Sequence, residues 1–231
     1  MRTANINIAH LGQTLTTADF FEAMPGLPKQ TVYSRIRQLL TSGVIKRVGR
    51  GVYERSTKTE FTIEITSQME IITKELSSQL PYIDFCVWDL SPINSLAQHL
   101  INFNLCVVDV DRDAIEAVYE NLRETNERVL TTKRMFDGLA DYDDYILVRK
   151  LVTDSPLTKN GEVSVPTLEK LLVDLACDKE FALFQGSEIE HIFDNACAQY
   201  VINKSRLLRY AGRKNQRERM EHMLINNSSA N

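Results

Sequence analysis

The sequence predicts an α/β (α+β) protein with an N-terminal winged helix-turn-helix, a mixed α/β domain and a helical C-terminus. Three patterns predict this fold class. In the first 57 residues, a helix with one polar face precedes a strand–turn–strand pattern; helical and extended apolar patterns then alternate, and helices end the chain. We place the domain boundary at the polar residues 56–60, which gives domains over residues 1–57 and 60–231.

The first domain begins with two short helix signals. Residues 3–10 favour a short helix, and Thr16 followed by Asp19 is typical of a helix N-terminus, with a capping hydroxyl and an acid in the first turn. Pro25-Gly26 ends this second helix, and Pro28 suits the first turn of the next one.

The next helix pattern, over residues 29–42, has one apolar face and one polar face. Apolar side chains recur at i, i+4, i+7 and i+8, and the opposite face and its flanks are polar and basic. Gly43 ends the helix, and residues 44–53 predict two short strands around a Gly-Arg-Gly turn. The apolar positions are Val32, Ile36, Leu39 and Leu40, and the polar ones are Gln30, Thr31, Ser34, Arg35, Arg37, Gln38 and Thr41.

Charge is distributed unevenly along the chain, although the net charge is only −4. Residues 1–58 carry nine basic and three acidic side chains, a net +6, whereas residues 59–203 carry 11 and 26, a net −15. Residues 204–231 carry 7 basic and 2 acidic side chains, a net +5. Since Arg and Lys neutralise phosphates and polar side chains of a helix read base edges, the basic first domain indicates binding to double-stranded DNA.

The second domain alternates helical and extended patterns. A turn at Lys159-Asn160-Gly161 precedes a leucine-rich helix that starts at Thr167. Residues 187–201 and 205–224 predict two final helices, with Ser205 as an N-cap and fraying over 226–231. The basic side chains of the last helix favour either a solvated surface or a ligand site. Before these, we predict helices over 66–79, 91–101 and 113–123, and strands over 82–88, 103–110, 129–130 and 145–151.

Two groups of carboxylates in the second domain suggest other kinds of site. Asp109 and Asp111 follow an apolar strand, as the metal-binding pair of nucleotidyltransferases does, but no Gly-Ser turn shortly precedes that strand. Asp141, Asp143 and Asp144 form an acidic cluster, which can bind a cation but is more often a solvated turn. We therefore expect no catalytic residue, metal site or cofactor, and a protein that is not an enzyme.

The remaining chemistry indicates a cytoplasmic protein. No apolar run reaches the ~18 residues of a membrane span, and the N-terminus lacks the apolar core of a secretory signal. The four His residues show no metal-ligand spacing. Cys86, Cys106, Cys177 and Cys197 form no C-x-x-C pair and lie in apolar runs, which predicts buried, reduced thiols.

Three stretches share their patterns with a known family. The first is the helix and Gly-Arg-Gly-Val-Tyr wing over residues 29–53. The second, 165–175, has a Pro, then an acid-basic pair, then a leucine-rich run closing on Asp-Leu; the third, 203–211, contains Arg-Leu-Leu-Arg-Tyr-Ala. In these stretches the chain resembles the AbiEi family, antitoxins and transcriptional regulators of bacterial abortive-infection (type IV toxin–antitoxin) systems, whereas residues 84–145 match no motif of that family.

The resemblance implies a regulator without enzymatic activity. In that family the winged helix binds operator repeats near its own promoter, and the C-terminal domain counteracts a nucleotidyltransferase-like toxin. Carried over by position, the residues expected to bind DNA are Lys29, Gln30, Thr31, Ser34, Arg35, Arg37, Gln38, Lys46, Arg47 and Arg50.

Two other functions stay open from the sequence. One is a metal-dependent, nucleotidyltransferase-like enzyme that uses Asp109 and Asp111. The other is a protein-interaction module whose acidic body binds a basic partner and whose first domain does not bind DNA.

Overall fold

The computed structural model describes residues 12–101, 103–137 and 144–229, so the helix predicted over 3–10 lies outside the described residues. The chain divides into two units: Met1–Glu60 with Gln199–Ser205, and Phe61–Ala198 with Arg206–Asn231. The sequence predicts that residues 199–205 belong to the second domain. They join the first unit because the Thr59 N–H donates to the Gln199 carbonyl and the Val201 N–H donates to the Thr59 carbonyl, both at 3.0 Å.

The described part of the first unit contains three strands and two helices, and its sheet is antiparallel in the order β1-β3-β2. The two helices and the hairpin confirm the predicted elements, whereas β1 was not predicted because its three residues offer only one buried apolar side chain, Leu15. In chain order, the elements are β1 (Thr14–Thr16), α1 (Thr17–Ala23), α2 (Lys29–Ser42), β2 (Ile45–Gly49) and β3 (Val52–Arg55).

Local signals set the ends of both helices in this unit. At the start of α1, the Asp19 N–H donates to the Thr16 hydroxyl, and the Thr16 N–H donates to the Asp19 carboxylate at 2.6 Å, which completes a capping box. At the end of α2, Gly43 adopts φ +77°, a left-handed conformation that glycine accepts without strain. These two predicted boundaries are confirmed.

A small apolar core holds the first unit together. Val32 and Ile36 of α2 are buried against side chains from α1 and all three strands, while Leu39 and Leu40 pack at its edge. The predicted apolar face of α2 therefore faces the core, and the polar face is directed outward. The buried members are Leu15, Phe20, Met24, Val32, Ile36, Ile45 and Tyr53.

The second unit is built around a four-stranded sheet in the order β4-β5-β7-β6. Strand β5 is antiparallel to β4 and parallel to β7, and all six of its residues are buried. A strand buried along its whole length is typical of a sheet covered on both faces. The elements up to β7 are α3 (Ser67–Gln79), β4 (Phe85–Asp89), α4 (Ser91–Asn94), β5 (Leu105–Val110), α5 (Ile115–Arg123), β6 (Val129–Thr131), α6 (Thr132–Asp137) and β7 (Tyr145–Lys150).

A hairpin and four helices follow this sheet. Gly161 turns the hairpin at φ +61°. The elements are β8 (Leu157–Asn160), β9 (Val163–Pro166), α7 (Leu168–Cys177), α8 (Ser187–Gln199), α9 (Lys204–Arg213) and α10 (Arg217–Ser229). The mixed α/β class with a helical C-terminus is thus confirmed, and among the described residues no helix combines the length and the apolar character needed to span a bilayer.

The helix predicted over 91–101 is wrong beyond its first turn, because α4 ends at Asn94. The backbone after it is held by side chains instead of helical hydrogen bonds. The Asn94 amide oxygen accepts from the Ile101 N–H at 2.8 Å, and the Glu188 carboxylate, 90 residues away, accepts from the Gln98 N–H at 2.6 Å. A local pattern contains no sign of such a distant partner.

The helix predicted over 205–224 is two helices. Asn215 adopts φ +56°, and the Gln216 N–H donates back to the Ala211 carbonyl at 2.9 Å, so α9 stops and α10 starts at Arg217. Asn tolerates this left-handed conformation better than most residues. Ser205 therefore lies inside α9 and is not its N-cap, and α10 extends to Ser229, into the stretch predicted to fray.

Candidate nucleic-acid interface

Six of the seven predicted DNA-binding residues of α2 lie along its outward face and flanks, at helical positions away from the buried Val32 and Ile36. Lys29 lies on the same side of the helix as Val32 and Ile36, and it is exposed at the first position of α2. Lys29, Gln30, Ser34, Arg37 and Gln38 are exposed, whereas Thr31 and Arg35 are half-buried. The Arg35 guanidinium donates to the Gln38 amide oxygen at 3.4 Å, which joins two of these side chains.

The N-terminus of α2 is electrostatically open. Pro28 is its N-cap and offers no side-chain hydrogen bond, and no acidic residue stands in the first turn. The positive end of the helix dipole is therefore not neutralised locally, and Lys29 adds a positive charge beside it. This combination favours an anionic group near the start of the helix.

The β2–β3 hairpin carries three further cations in different settings. Lys46 pairs with Glu54, its cross-strand neighbour, at 2.8 Å. Arg47 donates from Nε to the Gly49 carbonyl at 3.1 Å, and Arg50 is exposed at the turn. Lys46 is thus partly neutralised within the hairpin, a pairing that a simple count of basic residues could not reveal.

The hairpin turn is tied to the start of α1. Gly51, at φ +72°, accepts a hydrogen bond on its carbonyl from the Thr17 N–H at 2.9 Å. A Cβ atom at position 51 would lie 3.0 Å from the Thr17 hydroxyl. The turn that presents Arg50 is therefore held by a backbone hydrogen bond, in a conformation that favours glycine at position 51.

One candidate contact residue is not predicted from the sequence. Tyr33 is 54% exposed on α2, and its ring meets the ring of Phe21 edge-on at 5.6 Å. An aromatic residue outside the apolar stripe of an amphipathic helix is the signal that identifies it.

The carboxylates considered for catalysis do not form an accessible pair. Asp109 is fully buried, whereas Asp111 is exposed just beyond the end of β5. The Asp109 carboxylate lies 2.6 Å from Arg149 Nε and 2.7 Å from Lys170 Nζ, and it accepts from the Trp88 indole at 3.0 Å. Protein cations therefore already hold the carboxylate that the enzyme alternative requires.

Asp109 belongs to a larger set of charges, which we call the buried ion cluster. It consists of three acids and three bases, and these charges balance. Asp174 lies at its centre, within 2.7 Å of nitrogen atoms of three cations: Arg149 of β7, Lys170 of α7, and Lys214, which follows α9. The cluster contains Asp109, Arg149, Lys170, Asp174, Asp178 and Lys214.

The surroundings shift the ionisation of this cluster. Burial by itself would raise the pKa of Asp174, but the charges of Lys170, Arg149 and Lys214 hold it well below its ordinary value. Burial and the neighbouring Asp174 raise the pKa of Asp178. The basic last helix is predicted as a solvated surface or a ligand site, whereas the Lys214 side chain is only 11% exposed and pairs with both of these acids.

The other predicted features of the second unit have mixed outcomes. Asp141 and Asp143 lie outside the described residues, and Asp144 accepts from the Asn104 N–H at 3.3 Å. Among the described residues, no three His, Cys, Asp or Glu side chains are placed to hold a metal ion.

The cysteines only partly follow the prediction of buried thiols. Cys86 and Cys106 are buried, and burial raises the pKa of both thiols. Cys177 and Cys197 are only half-buried, and burial raises the pKa of Cys177 to about 11.

The second and third stretches that carry the family resemblance contact each other. Residues 165–175 reach from β9 into α7, and residues 203–211 enter α9. Arg206 pairs with the buried Glu169 at 3.4 Å, and the Tyr210 hydroxyl donates to Asp174 at 2.8 Å. Two motifs that are far apart in sequence thus form one packed region around the buried ion cluster.

Comparison with known proteins places the chain in a family. A search of curated proteins finds no match. The model of the family described as "Family of unknown function (DUF6577)" matches residues 31–230, which include most of α2, the hairpin and the described second unit. Because this match covers most of the chain, the protein belongs to the DUF6577 family.

Proposed function

We propose that this protein is a DNA-binding transcriptional regulator, and that its first unit is a winged helix-turn-helix that binds double-stranded DNA. One observation carries the proposal: a single unit combines the exposed polar and basic face of α2 with a hairpin that carries Lys46, Arg47 and Arg50. Helix α1, the turn and α2 supply the helix-turn-helix, and β2–β3 supplies the wing.

The side chains divide between two kinds of contact. Gln30, Ser34 and Gln38 lie near the middle of the outward face, where a helix in the major groove meets base edges. Arg35 and Arg37 lie on the two flanks, where the phosphates of the two strands pass. The open N-terminus of α2 supports the same docking, since its dipole attracts a phosphate.

The charge of residues 59–203 supports placing DNA contact outside this segment. Residues 59–203 carry a net −15, so DNA repels this segment. Arg206 and Lys214, near the C-terminal end, are engaged by acids of the second unit. A net charge of −4 is therefore compatible with a DNA-binding head.

The AbiEi resemblance supports a more specific proposal, that the regulator is an antitoxin. The winged helix would bind operator repeats at its own promoter, and the second unit would counteract a nucleotidyltransferase-like toxin. The support is the motif resemblance in residues 165–175 and 203–211, which meet through Glu169–Arg206 and Asp174–Tyr210. Co-expression with a nucleotidyltransferase-like protein encoded by the adjacent gene tests this, and failure to relieve its growth inhibition would contradict the antitoxin role.

Salt-dependent DNA binding by the full chain tests the central proposal. The test variant is Arg35→Gln/Arg37→Gln/Arg50→Gln, and the control is Arg112→Gln/Lys150→Gln/Lys159→Gln, which removes three exposed cations of the second unit. We expect the test variant to bind a promoter duplex more weakly, with the slope of log K against log salt reduced by up to about three units, roughly one per lost phosphate contact.

The control variant has the same net charge as the test variant, so it separates a specific interface from general attraction. It should keep the wild-type slope and affinity. Equal losses in both variants, or an unchanged slope in the test variant, would contradict the proposed interface.

A further inference from the structure

The exposed aromatic ring of Tyr33 gives the proposed interface an additional member. Tyr33 lies between the buried Val32 and the exposed Ser34, and 54% of it is accessible. It contributes little to the core, because the buried stripe of α2 consists of Val32 and Ile36. More than half of its surface is therefore available to a binding partner.

Helix geometry places Tyr33 on one flank of the outward face. At about 100° per residue, Tyr33 lies about 60° around the helix from the buried Ile36, and Arg37 lies about 100° from it in the same direction. Ser34, about 160° away, is close to the middle of the outward face. Tyr33 and Arg37 thus form neighbouring positions on the same edge of α2, one turn apart.

The Tyr33 ring is held from one side. The rings of Phe21 and Tyr33 meet at an interplanar angle of 82° with centroids 5.6 Å apart, an edge-to-face arrangement that aromatic pairs prefer. Phe21 belongs to α1, so the contact fixes Tyr33 between the two helices of the motif. Within the described chain, the Tyr33 hydroxyl has no protein hydrogen-bond partner.

We propose that Tyr33 is a further DNA-binding residue, whose hydroxyl donates a hydrogen bond to a backbone phosphate on the side of the groove that faces Arg37. This inference rests on the proposed DNA-binding function. A flank position favours a phosphate over a base edge, and a ring held by Phe21 presents its hydroxyl with little loss of side-chain entropy on binding.

The salt dependence of binding distinguishes a phosphate contact made by a neutral side chain from one made by a cation. Tyrosine releases no counterion when it binds a phosphate, because its hydroxyl carries no charge, so its loss lowers affinity without changing the salt slope. Loss of a cation at the neighbouring Arg37 lowers both affinity and slope. Since phosphates are the same in every sequence, the loss of affinity at Tyr33 should also be independent of DNA sequence.

The test compares Tyr33→Phe with Tyr82→Phe in the full chain. Tyr33→Phe removes one hydroxyl and keeps the ring against Phe21, and Tyr82→Phe makes the same change at a fully exposed tyrosine of the second unit. Binding is measured with a duplex from the region upstream of the protein's own gene and with a scrambled duplex of the same composition, at several salt concentrations. Thermal unfolding of each variant confirms that the fold is kept.

We expect Tyr33→Phe to weaken binding to both duplexes roughly tenfold, with the wild-type salt slope, while Tyr82→Phe binds like the wild type. An unchanged affinity of Tyr33→Phe would overturn the proposal, and so would a loss confined to one duplex, which would indicate a base contact. If the wild-type protein binds neither duplex, the proposed DNA-binding function itself fails, and this outcome is distinguishable because it appears before any variant is compared.

Discussion

The Lys214 ammonium group lies 2.7 Å from the Asp174 carboxylate, which attaches the chain just after α9 to α7. Asp174 is fully buried and also binds Arg149 and Lys170, so one carboxylate joins β7, α7 and the C-terminal region. A buried carboxylate with three cationic partners has strong consequences when it is removed, because the cations remain in a medium of low polarity.

Replacement of Asp174 by Asn should destabilise the second unit. Asparagine keeps the size of the side chain but leaves Arg149, Lys170 and Lys214 without the central negative charge. We expect the free energy of unfolding to fall by about 3–5 kcal/mol, measured by urea denaturation of the full chain.

Asp113→Asn is the matched control for this substitution. Asp113 is exposed in the turn before α5, and the same change there should alter the free energy of unfolding by less than about 0.5 kcal/mol. An equally small effect of Asp174→Asn would contradict the expected cost of leaving Arg149, Lys170 and Lys214 without this carboxylate.

Acid should reduce the difference in the free energy of unfolding between the wild type and Asp174→Asn. The pKa of Asp174 is held well below its ordinary value in the folded protein, so its contribution is present at pH values above the unfolded-state pKa of about 4. That contribution is lost as pH falls through the lower folded-state pKa. Urea denaturation of both proteins between pH 7 and pH 3 should show the two free energies approaching each other only below about pH 4; a constant difference would contradict the lowered pKa.

The sequence predicts the ends of helices that are set by neighbouring residues. It does not predict an end that depends on a hydrogen-bond partner far away in the chain. Thr16 with Asp19 and the glycine at position 43 predict the ends of α1 and α2, because the capping groups lie within a few residues of each other. The end of α4 could not be predicted, since Glu188 holds the following loop from 90 residues away. The break at Asn215 is not predicted because Gly212, the glycine before it, lies inside α9, and the left-handed residue itself is an asparagine.

In the candidate interface and the buried ion cluster, too, features set by nearby residues are predicted and features set by distant residues are not. The outward face of α2 follows from its apolar periodicity, which fixes the opposite face as well. The pairing of Lys46 with Glu54 depends on hairpin register, and the buried ion cluster depends on α7 meeting β5 and β7. In the sequence, Asp109 resembles a metal ligand because it follows an apolar strand, but its buried partners Arg149 and Lys170 are visible only in three dimensions.

The cap of α1 gives a prediction about the first unit. Thr16→Ala removes the hydroxyl that accepts from the Asp19 N–H, so we expect a loss of about 1 kcal/mol in the free energy of unfolding of this unit. Thr16→Ser keeps the hydroxyl and should stay close to the wild type. Hydrogen exchange of the α1 amides measures both effects, and equal exchange rates in the two variants would contradict a role for the cap.

The hairpin turn gives a prediction that links stability to DNA binding. Gly51→Ala places a methyl group 3.0 Å from the Thr17 hydroxyl at φ +72°, where residues with a Cβ atom are strained. We expect a loss of about 1–2 kcal/mol in stability of the first unit, together with weaker DNA binding, because the turn that presents Arg50 is displaced.

Gly212→Ala is the contrasting control. Gly212 lies inside α9 with open space around the new methyl group, so the substitution should raise stability by up to about 1 kcal/mol. Local hydrogen exchange and binding to the promoter duplex measure the two effects. DNA affinity that survives Gly51→Ala unchanged, while the turn amides lose protection, would show that the wing does not contribute to binding.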